Sequence, residues 1–233
     1  MATVILLRHA RSTANGSGVL AGRQAGVRLS DRGEDQAAAL VARLAGVPLH
    51  SVVTSPLERC RQTLAPLLAE RGLEATVEPG IVEVDYGQWT GRAIKDLGAE
   101  PLWTVVQQHP SAAVFPEGEG LAALQARAVA AIRAHDARVT AEHGPRAVWL
   151  ACSHGDVIKA VLADALGVHL DGFQRIVVDP ASVSVVQYTE TRPFVLRVND
   201  NGGDLSALVP APEESKAAEP LSSDAVVGGT TGA

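Results

Sequence analysis

Two histidines and two arginines hold the chemically expressive positions of this chain. Arg8 and His9 end an apolar run, Val4-Ile5-Leu6-Leu7, and His154 follows a second apolar run at 147–152. Arg59 lies about one helical turn after a third, at 50–54. A guanidinium fork suits the oxygens of a tetrahedral oxyanion, and a neutral imidazole is a nucleophile or a proton carrier. One histidine after a strand is usually structural. Two at matching strand ends, with two arginines, are poorly explained by packing, because the four groups would repel one another without an anion between them.

These residues meet only if the segments before them are neighbours. Residues 3–7 have the length and β-branched composition of a strand buried on both faces, as do 147–152. In open α/β sheets the ligand crevice lies outside the carboxyl ends of the strands, where Arg8, His9 and His154 would emerge. Residues 10–29 read as a loop. Ser30 caps a helix over 31–44, closed by Gly46. A strand at 50–54 leads into Ser55-Pro56-Leu57-Glu58, which reads as a helix start. Ser55 would be the cap, proline the first position and Glu58 the return arm of a capping box. That helix extends to Arg71 and stops at Gly72. A short strand follows at 74–77, then a loop at 81–91 anchored by Trp89, and short helices at 94–97 and 102–109. After a break at 115–120 come a long helix at 121–143, the 147–152 strand and a helix at 156–166. Late strands are expected at 176–178, 182–188 and 194–198, the last two paired. The alternation predicts an α/β three-layer sandwich, with a mostly parallel central sheet and helices on both faces. Residues 1–200 form the domain. Residues 201–233, rich in Gly, Pro, Ser, Ala and Glu, read as a mostly disordered tail.

Composition narrows the function. The 233 residues carry a net charge of −6 and no basic patch, which argues against nucleic acid as a main partner. Two cysteines, Cys60 and Cys152, build neither a disulfide framework nor a zinc site and read as small buried hydrophobes. No signal peptide or membrane span is legible, so a cytoplasmic protein is expected. Gly16-Ser17-Gly18-Val19-Leu20-Ala21 spells a dinucleotide-like pattern. It comes too long after the first strand to lie in a strand-to-helix turn, and reads instead as a flexible loop.

Four stretches together resemble the histidine phosphatase superfamily, in its phosphoglycerate-mutase-like branch 1. Residues 7–15, LRHARSTAN, resemble its R-H-G-x-[ST]-x-x-N signature. Residues 55–63, SPLERCRQT, are similar to S-x-L-x-R-A-x-x-T, and residues 83–91, EVDYGQWTG, to E-x-x-x-G-x-W-x-G. Ser153-His154-Gly155 resembles the second S-H-G motif. The resemblance covers roughly residues 3–200. Ala10 stands where the signature has glycine, Cys60 where it has alanine, and Glu117-Gly118-Glu119-Gly120 lacks the serine of the G-E-S loop.

The resemblance implies a phosphoglycerate-mutase-like fold and a phosphomonoester hydrolase working through phosphohistidine on a small phosphorylated metabolite. His9 would be the nucleophile and Glu83 the proton donor and acceptor, with Asp85 as the competing carboxylate. Arg8, Asn15, Arg59, His154 and Gly155 would contact the phosphoryl group, Asn15 alternatively orienting its loop. Neither metal nor cofactor is implied, and a monomer or homodimer is expected. Arg11 and Arg23 are left open between substrate and solvent; His50, His109, His135, His143 and His169 read as bland. The interval between Glu83 and His154, shorter than the resemblance implies for a mutase lid, favours a phosphatase. A phosphomutase, a non-catalytic phospho-ligand-binding protein and a metal hydrolase are the alternatives. Specificity is expected in loops 19–27 and 103–121.

Overall fold

A computed structural model describes residues 1–203; all but the first three residues of the 201–233 tail lie outside the described residues. In chain order the elements are β1 (Thr3–Arg8), α1 (Thr13–Ser17), α2 (Asp31–Arg43), β2 (Leu49–Thr54), α3 (Glu58–Arg71), β3 (Thr76–Val77), α4 (Ile94–Leu97), α5 (Pro101–Gln108), α6 (Leu121–His143), β4 (Val148–Ser153), α7 (Gly155–Leu166), β5 (Val183–Gln187) and β6 (Phe194–Asp200). Single 3₁₀ turns cover Pro79–Ile81, Gly87–Trp89 and Pro110–Ala112, and a longer one Leu170–Arg175.

The strands form one six-stranded sheet in the order β3-β2-β4-β1-β5-β6. The first four run parallel, and β5 and β6 are antiparallel to their neighbours. β1 sits between β4 and β5, which is why its sequence is apolar at successive positions. Its side chains alternate between two cores. Val4 and Leu6 join Trp149, Ala151, Leu121, Leu124 and Val161 on the face covered by α6 and α7. Ile5 and Leu7 join Leu40, Leu64, Leu67, Leu150 and Cys152 on the face covered by α2 and α3.

The helix at 121–143 has the expected bounds, and Ser30 caps α2 through Gly33 N–H. Four local expectations fail. The 10–29 loop contains α1, closed by a capping box between Ser12 and Asn15. Residues 176–178 are not a strand, and Val178 gives its carbonyl to Arg8 instead. The 74–77 strand shrinks to Thr76–Val77. Most consequentially, α3 starts at Glu58 after Leu57, with no side-chain cap and no Ser55–Glu58 box. Ser55 is drawn away by His154.

No helix among the described residues is long and apolar enough to cross a membrane.

Candidate active site

Three parallel strands end at one level. Arg8 pairs with Ser153, and Thr54 with Cys152. The next residues cross-link, His9 N–H to Ser153 O and Ser55 N–H to Cys152 O, each at 2.9 Å. His9, Ser55 and His154 therefore emerge side by side, the two imidazole centroids 5.2 Å apart. Arg59 comes off the second position of α3, with that side chain nearly fully buried.

Arg59 ties the group together. Its Nε donates to His9 Nε2 at 3.2 Å, and its Nη2 reaches Gly22 O at 2.8 Å and His154 Nδ1 at 3.2 Å. Arginine only donates, so both ring nitrogens must be unprotonated. His9 then keeps its proton on Nδ1, 2.8 Å from Ala10 O, and His154 donates from Nε2 to Ser55 Oγ at 2.7 Å. Both rings are thus neutral, in complementary tautomers. Burial, then Arg59, pushes both far below the ordinary imidazole range; Arg8 pushes His9 further, and His9 and Arg8 push His154. Loss of protons from the histidines relieves part of the repulsion expected from the sequence.

Arg59 Nη1 is buried with no hydrogen-bond partner among the described residues. A buried guanidinium donor left unmade is costly, so its position calls for an acceptor that the described residues do not supply.

Glu83 is 4% exposed. Its Oε1 accepts Val84 N–H at 3.0 Å, and Oε2 lies 3.9 Å from His154 Nδ1. Burial foremost, and then the charge of Asp156, raise its pKa to about 7, against the opposing pull of Arg59, the Val84 N–H and Arg8. Its carbonyl is gripped by Arg23 Nε at 2.8 Å and Arg127 Nη2 at 3.2 Å. Glu119 Oε1 bridges the two arginines, at 2.9 Å and 2.6 Å, and accepts Asp85 N–H at 3.0 Å. Arg23, left open as a substrate contact, is a clamp on the Glu83 backbone. Asp85 faces outward, 3.6 Å from Arg23, and is not the enclosed acid.

Arg8 is fully buried, its Nη1 on Val178 O at 2.6 Å. Asn15 accepts from Ser12 N–H and Ser12 Oγ, which fixes α1 and the loop. Gly155 opens α7, whose amino end carries the positive pole of the helix dipole. Ala10 keeps an ordinary negative φ, and its N–H donates to Thr63 Oγ1 at 2.9 Å, so the missing glycine leaves no strain. Cys60 and Cys152 are free and buried, with Cys60 Sγ 3.6 Å from His154 Nε2. His50 and His135 attach near the opposite ends of the strands, to Val148 and Ser51. Among the described residues, no group of three His, Cys, Asp or Glu side chains is placed to hold a metal ion.

The sequence reading missed Ser55 as partner of His154, Glu119 and Arg127 as the clamp, and Asp156 as neighbour of Glu83. In the sequence the 115–120 segment reads as a break that lacks the serine of the G-E-S loop; its pairing with residues 85 and 23 has no local signature.

The sequence matches the histidine phosphatase superfamily (branch 1) over residues 4–201, and the chain belongs to that family. It is similar to phosphoserine phosphatase 1 of Hydrogenobacter thermophilus, 30% identical over 207 residues, which span 85% of this chain and 92% of the relative. It is 29% identical over 190 residues to the adenosylcobalamin/alpha-ribazole phosphatase of Escherichia coli, covering 79% of this chain and 89% of that one. Among solved structures, YhfR of Bacillus stearothermophilus superposes with a TM-score of 0.77 at 23% identity, covering 86% and 98% of the two chains, a likeness of fold.

Proposed function

We propose that residues 1–200 form a phosphomonoesterase that hydrolyses a small phosphorylated metabolite through phosphohistidine at His9. The observation that carries this is Arg59. It lies between two neutral imidazoles, and its Nη1 is buried, unpaired among the described residues and in want of an oxyanion. Arg8, Arg59, His154 and the α7 amino end at Gly155 hold the phosphoryl oxygens and offset the charge that builds up on them. Asn15 orients the loop.

The His9 Nε2 lone pair attacks phosphorus in line while the P–O bond to the leaving group breaks. Glu83 gives its proton to the departing alkoxide. Water then attacks the phosphohistidine, Glu83 takes a water proton, and the P–N electron pair returns to Nε2. A carboxyl titrating near 7 serves in both directions at neutral pH. The arginines supply the positive charge that this chemistry needs. Phosphatases of two different substrates among the relatives support hydrolysis, without choosing the metabolite. The site is complete within one chain, which suits a monomer or a homodimer, and two buried free thiols suit a reducing cytoplasm.

The test is hydrolysis of p-nitrophenyl phosphate in EDTA by the protein and by His9→Ala. Activity that survives EDTA and falls at least about 10³-fold in the variant is expected. Acid-labile, base-stable labelling of His9 on rapid quench would accompany it. Loss of activity to EDTA, or full activity in the variant, would overturn the reading. Conversion of 3- to 2-phosphoglycerate at a rate above hydrolysis would replace it with a mutase.

A further inference from the structure

Behind Glu83 lies a buried polar group that the proposed reaction does not use. Asp156 is fully buried in the first turn of α7, two residues after His154. Tyr86, three residues after Glu83 and also fully buried, donates its hydroxyl to Asp156 Oδ2 at 2.8 Å. Lys159, 2% exposed, places Nζ 3.5 Å from Asp156 Oδ1 and donates to Gln174 Oε1 at 3.0 Å, above the Phe173 ring.

A carboxylate with a lysine beside it is common helix chemistry at i,i+3. Burial of the whole set is not, because each ion surrenders its hydration. The geometry gives the set two consequences for Glu83. The Tyr86–Asp156 bond fastens the loop carrying Glu83 to the helix that begins after His154. It does so deep in the core, with the Tyr86 ring edge-on to Phe115 at 5.0 Å. A second negative charge close to Glu83 also disfavours the ionised form of its carboxyl.

We propose that Asp156 is the positioning residue of Glu83: it fixes the Glu83 loop through Tyr86 and adds a second carboxylate to the buried polar set behind it. This rests on Glu83 being the proton donor. The groups bearing on Glu83 are Asp156 and Lys159 from α7, Arg8 from β1, Arg59 from α3, Tyr86 from its own loop and the His154 ring. Arg23 and Arg127 act on its carbonyl. Those bearing on Asp156 are Tyr86, Lys159, Arg8 and Glu83 itself. Asp156 raises the proton affinity of Glu83, and Arg8 and Arg59 lower it. Lys159 restrains Asp156 without touching the reacting atoms.

Asp156→Asn keeps an acceptor for Tyr86 and removes the charge. Tyr86→Phe keeps the charge and removes the bond. The Glu83 carboxyl is followed by ¹³C NMR titration, assigned by its absence in Glu83→Gln. kcat/KM is measured against pH with an alkyl phosphate, whose leaving group needs a proton. In Asp156→Asn the titration midpoint and the alkaline limb of the profile move down together, by about one pH unit, giving up to about tenfold lower rate on that limb. In Tyr86→Phe the midpoint stays within a few tenths, while kcat falls about three- to tenfold and KM changes little. Should the single charge change prevent folding by stranding Lys159, Asp156→Asn with Lys159→Met is compared with Lys159→Met alone, and must show the same downward shift relative to it. An unmoved midpoint in whichever of these folds overturns the proposal. Absence of phosphatase activity in the unaltered protein overturns the proposed function instead, and the NMR titration still decides the coupling.

Discussion

Glu83 and His9 carry opposite electrostatic histories, and each makes a prediction. His9 is held neutral by burial and by two arginines, the state that the proposed attack on phosphorus needs. Glu83 must be protonated to donate, so kcat/KM for an alkyl phosphate should fall as pH rises through about 7, measurable by initial rates from pH 5 to 9. Glu83 also costs stability. Its folded pKa of about 7 exceeds the model-compound value of 4.5, so the native state binds the extra proton between those limits and stability falls as pH rises across them. Glu83→Gln should abolish most turnover, by about 10²–10⁴-fold. It should also stabilise the fold at pH 8 by about 1–3 kcal/mol, with a smaller gain at pH 5, both read by thermal denaturation. The two histidines act in the other sense. Their depressed values mean that stability present above the ordinary imidazole range is lost on acidification. His9 was legible at a strand end, Glu83 only through the resemblance of residues 83–91 to the family's loop. Ser55 was misread because its capping grammar is local, whereas the stronger acceptor demand came from His154 Nε2, 99 positions away.

At the scale of elements, the loop that carries Glu83 is held by its fit to neighbouring backbone. The 83–91 and 113–120 segments interlock so closely that a Cβ on Gly118 would strike the Asp85 carbonyl, and one on Gly87 the Pro116 carbonyl. Gly87 also has φ of +50°, where L side chains are strained. Gly118→Ala should therefore lower kcat/KM at least about tenfold, along with melting temperature, because Glu119 and its two arginines move with it. Glu119→Gln separates the clamp from the packing. It leaves volume intact, weakens the hold of Arg23 and Arg127, and should lower kcat several-fold with a small change in melting temperature, as steady-state kinetics beside calorimetry would show. The helix end at Gly72 was readable from sequence, since αL caps select glycine. The interlock was not, because its partners meet only after the sheet has formed.

On the scale of the whole molecule, the sheet separates two apolar cores; Arg59 comes to the site from α3 on one face, and Arg127 reaches the Glu83 carbonyl from α6 on the other. Leu64 lies in the core beneath α3, one turn beyond Arg59; Ile132 lies in the core beneath α6. Leu64→Ala should cost about 2–5 kcal/mol of stability and also impair turnover by loosening α3. Ile132→Val should cost about 0.5–1.5 kcal/mol with kcat/KM unchanged, which urea denaturation alongside rate measurements would separate.

The amino-acid sequence alone determined the strand–helix alternation, the aliphatic core and the residues that gather at the strand ends. These follow from apolar periodicity, caps and short-range spacing, which are properties of contiguous chain. Tertiary structure alone decided the protonation of the histidines, the affinity of Glu83 for its proton, and the partners of Ser55, Arg23 and Asp156. Those depend on burial and on charges brought close from distant positions, and neither exists before the chain has folded.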